Sequence, residues 1–127
     1  MAKIMIVDDS TDVQILMNDF LVAHQHEIVA FANNGIEAIE KYNSIKPEIV
    51  LLDLELPQLD GLSVLKEIKS KDPNVKIIII TGNDSISIFR ECSNLGALAF
   101  ILKPYNLNEV LDTITYVSEI SPLENLS

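Results

Sequence analysis

Five short apolar runs set at intervals along the chain limit what it can fold into. They read "KIMIV" (3–7), "EIVAF" (27–31), "EIVLL" (48–52), "VKIIII" (75–80) and "ALAFIL" (97–102). Most are continuous rather than alternating and are rich in Ile and Val, the pattern of strands covered on both faces. Between them the apolar residues take up helical spacing. Val13, Leu16, Met17, Phe20 and Ala23 form one face, and Ile36 and Ile39 begin another. Leu62, Leu65 and Ile68 make a third, opened by Asp60 as N-cap. Ile88, Phe89, Cys92 and Leu95 make a fourth, after Asn83 and Asp84. Leu107, Val110, Leu111, Ile114 and Val117 make the fifth. Strict alternation of strand and helix predicts a parallel sheet with helices on both faces.

The chain has 127 residues, enough for one core, and is 48% hydrophobic, which excludes a disordered chain. Residues 1–120 are read as one domain, and 121–127 as a short tail with no effector domain. The start "MAKIMIVDD" has no signal-peptide layout, and no apolar run approaches a membrane span. A lone cysteine, Cys92, falls on an apolar helical face and reads as core filler, with a mild lean to a reducing, cytoplasmic compartment. A net charge of -10 excludes a direct nucleic-acid partner and permits a metal or a cationic one.

The residue after each run carries the chemistry. The first run ends in Asp8 and Asp9, the third in Asp53 and the fourth in Thr81, and the fifth is followed by Lys103 and Pro104. Only the second ends blandly, in Ala32 and Asn33. Doubly wound sheets bind ligands at the carboxyl ends of their strands, where strand order reverses. In a flavodoxin-like order 2-1-3-4-5 that point lies between strands 1 and 3, and strand 2 stands aside. Three carboxylates, a hydroxyl and an ammonium then converge at one sheet edge. Packed carboxylates repel unless a cation intervenes. Hard oxygen ligands suit Mg²⁺ or Mn²⁺. The pattern argues against zinc, because His24 and His26 lie near a helix end, as surface residues, with no Cys beside them. Metal, ammonium and hydroxyl together can bind phosphoryl oxygens, and a carboxylate can attack phosphorus. Each residue alone has a duller reading: Asp9 or Ser10 as a helix cap, Asp53 as a turn former, Thr81 as a strand end, Lys103 as a solvated side chain. Phe100 alone is a half-buried strand aromatic. Five such residues at the ends of four appropriate strands argue for a site.

The motifs "IVDDS", "VLLDLELPQLDGL", "IIITGN" and "FILKPY", in this order and spacing, resemble the receiver domain of two-component response regulators, of the single-domain chemotaxis or phosphorelay type. The resemblance covers residues 3 to about 118. It implies that Asp53 accepts a phosphoryl group from a sensor histidine kinase or histidine phosphotransferase. It also implies that Asp8, Asp9, Asp53 and the backbone carbonyl of Glu55 hold Mg²⁺. Thr81 would then hydrogen-bond the phosphoryl group, Lys103 would pair with it, and Phe100 would be the switch aromatic. Lys103–Pro104 would be a cis peptide. Such a domain catalyses only its own phosphorylation and dephosphorylation. It acts as a monomer or weak dimer and signals to a downstream protein through the face of helix 4, strand 5 and helix 5, around Phe100 and Tyr105. Some positions vary within that family: Glu55 stands where many members have Asn or Met, and Phe100 lacks the hydroxyl of Tyr. Glu55 is expected at the wet rim of the pocket, repelling anionic phosphodonors.

Three other readings compete. A haloacid-dehalogenase-type phosphatase shares the Asp53-Leu54-Glu55 spacing but places its extra metal acids late in the chain, and an FMN protein would find its phosphate repelled by Asp8 and Asp9. The third is a receiver-like interaction module that is never phosphorylated.

Overall fold

The alternation is realised element by element in the computed structural model, which describes residues 1–120. The order is β1 (Lys3–Val7), α1 (Thr11–Ala23), β2 (Glu27–Ala32), α2 (Gly35–Ile45), β3 (Ile49–Asp53), α3 (Gly61–Lys71), β4 (Lys76–Thr81), α4 (Ile86–Asn94), β5 (Ala99–Leu102) and α5 (Leu107–Ser118). The proposed tail, 121–127, lies outside the described residues. All neighbouring strands are parallel, in the order β2-β1-β3-β4-β5. The expected flavodoxin-like architecture is therefore the one found.

The continuous apolar runs are explained by two cores, one on each face of the sheet. In β3, Val50 and Leu52 join Ala38, Tyr42, Val64, Leu65, Ile68 and Cys92 from α2, α3 and α4. Ile49 and Leu51 point the other way, to Met17 and Leu21 of α1 and Val110, Ile114 and Val117 of α5. Both strand faces are dry, so both residue parities must be apolar. Helix starts are capped by side chains that accept an orphan backbone N–H: Ser10 from Val13, Asn34 from Glu37, Asp60 from Ser63 and Asn106 from Glu109.

Three helical faces differ from expectation, that of α4 by leaving Phe89 exposed. In α1, Leu16 is exposed while Gln14, Met17 and Leu21 are buried. In α2, Ile36 is exposed and Ala38 and Tyr42 carry the packing. Tyr42 stays buried because its hydroxyl donates to Asp72 Oδ2 at 2.5 Å, which satisfies its polar end. Cys92 is buried, as expected. His24 is exposed, whereas His26 is half-buried and accepts the Ala2 backbone N–H through Nδ1 at 3.1 Å. Among the described residues no helix is long and apolar enough to cross a membrane.

Candidate functional site

Parallel pairing brings the ends of β1, β3, β4 and β5 to one edge of the sheet. Asp53 and Thr81 are the last residues of their strands, in register with Ile80 and Leu102. Asp8 and Asp9 follow β1, and Lys103 follows β5. One carboxylate oxygen from each of Asp8, Asp9 and Asp53 lies within 4.8 Å of the others. Asp8 and Asp53 are buried and Asp9 is exposed, so the cluster opens to solvent on one side.

Asp53 is held at both oxygens. Oδ1 accepts the Glu55 backbone N–H at 2.9 Å, and Oδ2 accepts from Lys103 Nζ at 2.8 Å. Burial pushes the Asp53 carboxyl above its ordinary range; the bond from Lys103 and the Glu55 N–H oppose this, and the charge of Asp8 adds to it. Burial likewise raises Asp8, against the Ser10 N–H at 2.8 Å and the charge of Lys103. For Lys103, burial pulls the ammonium down, but its bond to Asp53 and the charges of Asp53, Glu55 and Asp8 outweigh it, so its pKa is raised. Three carboxylates facing one ammonium leave the pocket short of positive charge. That donor set, hard, oxygen-rich and open to water on the Asp9 side, fits a small divalent cation.

The support beneath these residues is rigid. A Cβ added to Gly61 would lie 2.5 Å from both the Asp53 carbonyl oxygen and Leu54 Cα, so only glycine lets α3 begin directly under the end of β3. The Gly61 N–H donates to Leu54 O at 3.1 Å and closes that contact. On the other side of Asp53, Gln14 braces the turn after β1. Its Nε2 donates to Asp8 O at 2.7 Å and to Asn33 Oδ1 at 2.7 Å. Gln14 did not stand out in the sequence, because a helical amide reads as a solvent-facing residue. The gap it leaves in the apolar spacing of α1 was the available signal.

Glu55 stands at the rim as expected, with its side chain 53% exposed, but its carboxylate is hydrogen-bonded rather than free. Oε2 accepts from the hydroxyl of fully buried Thr81 at 2.7 Å, and Oε1 accepts the Gly82 N–H at 3.0 Å. Lys103 Nζ stands 3.9 Å from Oε1. Phe100 is half-buried, with its ring centroid 4.8 Å from that of Phe89 on α4. Together with Ile86 and Leu102 these rings line a cleft of about 260 Å³ beside the pocket, where Ile86, Phe89 and Leu102 are exposed. Tyr105 packs against the opposite core. The Lys103–Pro104 peptide is cis, as expected.

The sequence matches the family model described as the response regulator receiver domain over residues 4–115. The chain belongs to that family. Receiver domains are signalling domains of two-component systems, and the clustered carboxylates occupy the place of the acidic pocket in which they bind Mg²⁺. The phosphatase and flavin-protein readings are thereby set aside. Curated relatives include the chemotaxis protein CheY of Thermotoga maritima, 34% identical over 92% of this chain and 98% of that protein. The sporulation initiation phosphotransferase F of Bacillus subtilis is 34% identical over 88% of this chain and 90% of its own length. Among solved structures, the CheX–CheY–BeF3–Mg complex of Borrelia burgdorferi contains a chain that superposes with a TM-score of 0.90 at 29% identity, covering 94% of this chain and 90% of that one.

Proposed function

We propose that this receiver domain takes a phosphoryl group onto Asp53 from the phosphohistidine of a sensor kinase or histidine phosphotransferase. The observation that carries the proposal is the placement of Asp53: buried at the end of β3, within reach of Asp8 and Asp9, and paired with Lys103. In the transfer an Asp53 oxygen bonds to phosphorus as the phosphorus–nitrogen bond to the donor imidazole breaks. The imidazole keeps the electron pair and picks up a proton, and an acyl phosphate remains. Asp8, Asp9, Asp53 and the Glu55 carbonyl would hold Mg²⁺ or Mn²⁺, which supplies positive charge to phosphoryl oxygens when bound. Lys103 supplies a fixed charge on the β5 side, and the Thr81 hydroxyl and the N–H of Gly82 offer donors. Lys103 already stands on Asp53 and needs little reorganisation as charge develops, whereas the Thr81 and Gly82 donors are engaged by Glu55.

The same geometry supports an output face. The exposed apolar side chains of Ile86, Phe89 and Leu102 flank Phe100, one strand away from Thr81. Thr81 engaging a phosphoryl group would bias Phe100 between two arrangements, and a cytoplasmic protein partner would read the α4–β5–α5 face. The chain would act as a monomer or weak dimer, with residues 1–120 as the working domain. Chemotaxis protein CheY among the relatives and a CheX–CheY complex among the neighbours support this kind of partner.

Intact-mass analysis after incubation with acetyl phosphate or phosphoramidate and Mg²⁺ tests the proposal. One base-labile phosphoryl group is expected on the wild type and none on Asp53→Asn. Full labelling of Asp53→Asn overturns the assignment. No labelling of the wild type favours an interaction module that works without phosphorylation.

A further inference from the structure

We infer that the Glu55 carboxylate is an internal occupant of the phosphoryl subsite, one that an incoming phosphoryl group must displace. The inference rests on the receiver reading, since it concerns donors assigned above to phosphoryl oxygens. Those donors are already engaged: the Thr81 hydroxyl at 2.7 Å and the Gly82 N–H at 3.0 Å both point to Glu55, and Lys103 Nζ lies 3.9 Å away.

Competition follows from proton counting. The Thr81 hydroxyl has one proton to donate. Its oxygen already accepts the Asn83 N–H at 3.0 Å, which orients the hydroxyl, and its proton goes to Glu55 Oε2. Thr81 therefore serves Glu55 or a phosphoryl oxygen, never both. A carboxylate is also a fair substitute for a phosphoryl edge: it is anionic and presents two acceptor oxygens side by side.

The placement is built in. The Glu55 backbone is pinned by its own N–H bond to Asp53 Oδ1, so the side chain starts from a fixed point beside the acceptor. Its exposure leaves an open route by which the carboxylate can swing into water when displaced. The unphosphorylated domain thus keeps Thr81 bound to a residue of its own chain. Phosphoryl transfer exchanges that partner, and Glu55 sets how readily the exchange occurs.

Plain charge repulsion at the rim would also slow anionic donors, and the experiment separates the two. Wild type, Glu55→Gln and Glu55→Ala are labelled with acetyl phosphate at saturating Mg²⁺, at low and high salt. Amide spectra are recorded on the donor-free, metal-free proteins. Occupancy predicts that Glu55→Ala labels about tenfold faster, the gain when a competent state populated about one-tenth of the time becomes dominant. Glu55→Gln, which keeps one acceptor oxygen, should gain less. The difference between Ala and wild type should survive high salt, because contact bonds are screened less than charges in water. The Gly82 and Asn83 amide resonances should move in Glu55→Ala without any ligand. Equal gains for Gln and Ala that vanish with salt would overturn the inference in favour of repulsion, as would an unmoved Gly82 amide. Wild-type labelling with no response to either substitution overturns it while leaving the receiver reading standing. No labelling in any of the three proteins removes the phosphoacceptor reading, and this inference with it.

Discussion

The two sides of the Asp53 pocket are built differently. On the β1–β3 side, the contacts other than that of Lys103 are to backbone or to a bracing residue. Gln14 fixes the Asp8 carbonyl, the Ser10 N–H fixes the Asp8 carboxylate, and Gly61 seats α3 against the end of β3. On the β4–β5 side, the contacts centre on exposed side chains that have somewhere else to go. Glu55 on Thr81 is half in water, and Phe100 lies on an exposed Phe89 at the border of an open cleft. One side can hold a carboxylate in place and the other can change partners. A domain that accepted a group and reported its arrival, as proposed, would need both.

The sharpest test of this division removes the charge that links the two sides. Lys103 bonds Asp53 from the β5 side. Lys103→Ala should slow labelling by small donors by about a hundredfold or more, the scale for losing one preorganised electrostatic donor. Its melting temperature should fall much less, because the Lys103 side chain is over a third exposed. A rate near wild type would show that the ion pair serves packing only.

Divalent cations should act next most strongly. If Asp8, Asp9 and Asp53 hold the ion, Mg²⁺ at one hundred times its dissociation constant stabilises the fold by about 2.7 kcal/mol. Thermal melts with and without Mg²⁺, in wild type and Asp9→Ala, read this directly. Equal melting shifts in the two proteins would place the ion elsewhere.

Two glycines then compare the sides. Gly61→Ala forces a Cβ into backbone at 2.5 Å and should cost roughly 1–3 kcal/mol, the usual range for overpacking. Gly82→Ala on the other side meets only a Glu55 oxygen at 3.8 Å and should change stability by less than about 0.5 kcal/mol. Denaturant midpoints of the two variants suffice. Similar losses would mean that the β4 side is as rigid as the β3 side.

The smallest expected effect is on pH dependence. Burial raises the Asp8 and Asp53 carboxyls, so the folded state holds those protons at pH values where the unfolded chain, titrating near about 3.9, has released them. Their contribution to stability is therefore full below the unfolded value and is lost as pH rises through the folded values. In metal-free buffer, Asp8→Asn should flatten this decline and raise stability above it by about 1 kcal/mol, a typical single-site magnitude. Asn keeps an acceptor oxygen for the Ser10 N–H, so packing is not the variable. A steeper decline in Asp8→Asn would contradict the assigned cause.

Much of this was legible in the sequence, for physical reasons. Two dry sheet faces force continuous apolar runs, so the strands announced themselves, and the polar residues ending them marked the edge where the carboxylates cluster. Asp8, Asp9, Asp53, Thr81 and Lys103 were found this way and are brought to one edge of the sheet. Periodicity failed where polar side chains go inside. Buried Gln14 turned the inner face of α1 away from Leu16, and the hydroxyl of Tyr42 found Asp72 and so let an aromatic serve as the anchor of α2. The contact of Glu55 with Thr81 joins residues 26 positions apart through a loop conformation that no local pattern specifies.

The measurement that bears most directly on the central claim is amide mapping of the wild type before and after phosphoramidate and Mg²⁺. The account predicts that shifts begin at Asp53, pass through Thr81 and Gly82 to Phe100, and reach residues 84–108. Helices α2 and α3 should stay in place apart from the Gly61 end. Shifts confined to the loops around Asp8, Asp9 and Asp53, or spread evenly through α2 and α3, would contradict a pocket with one fixed side and one exchangeable side.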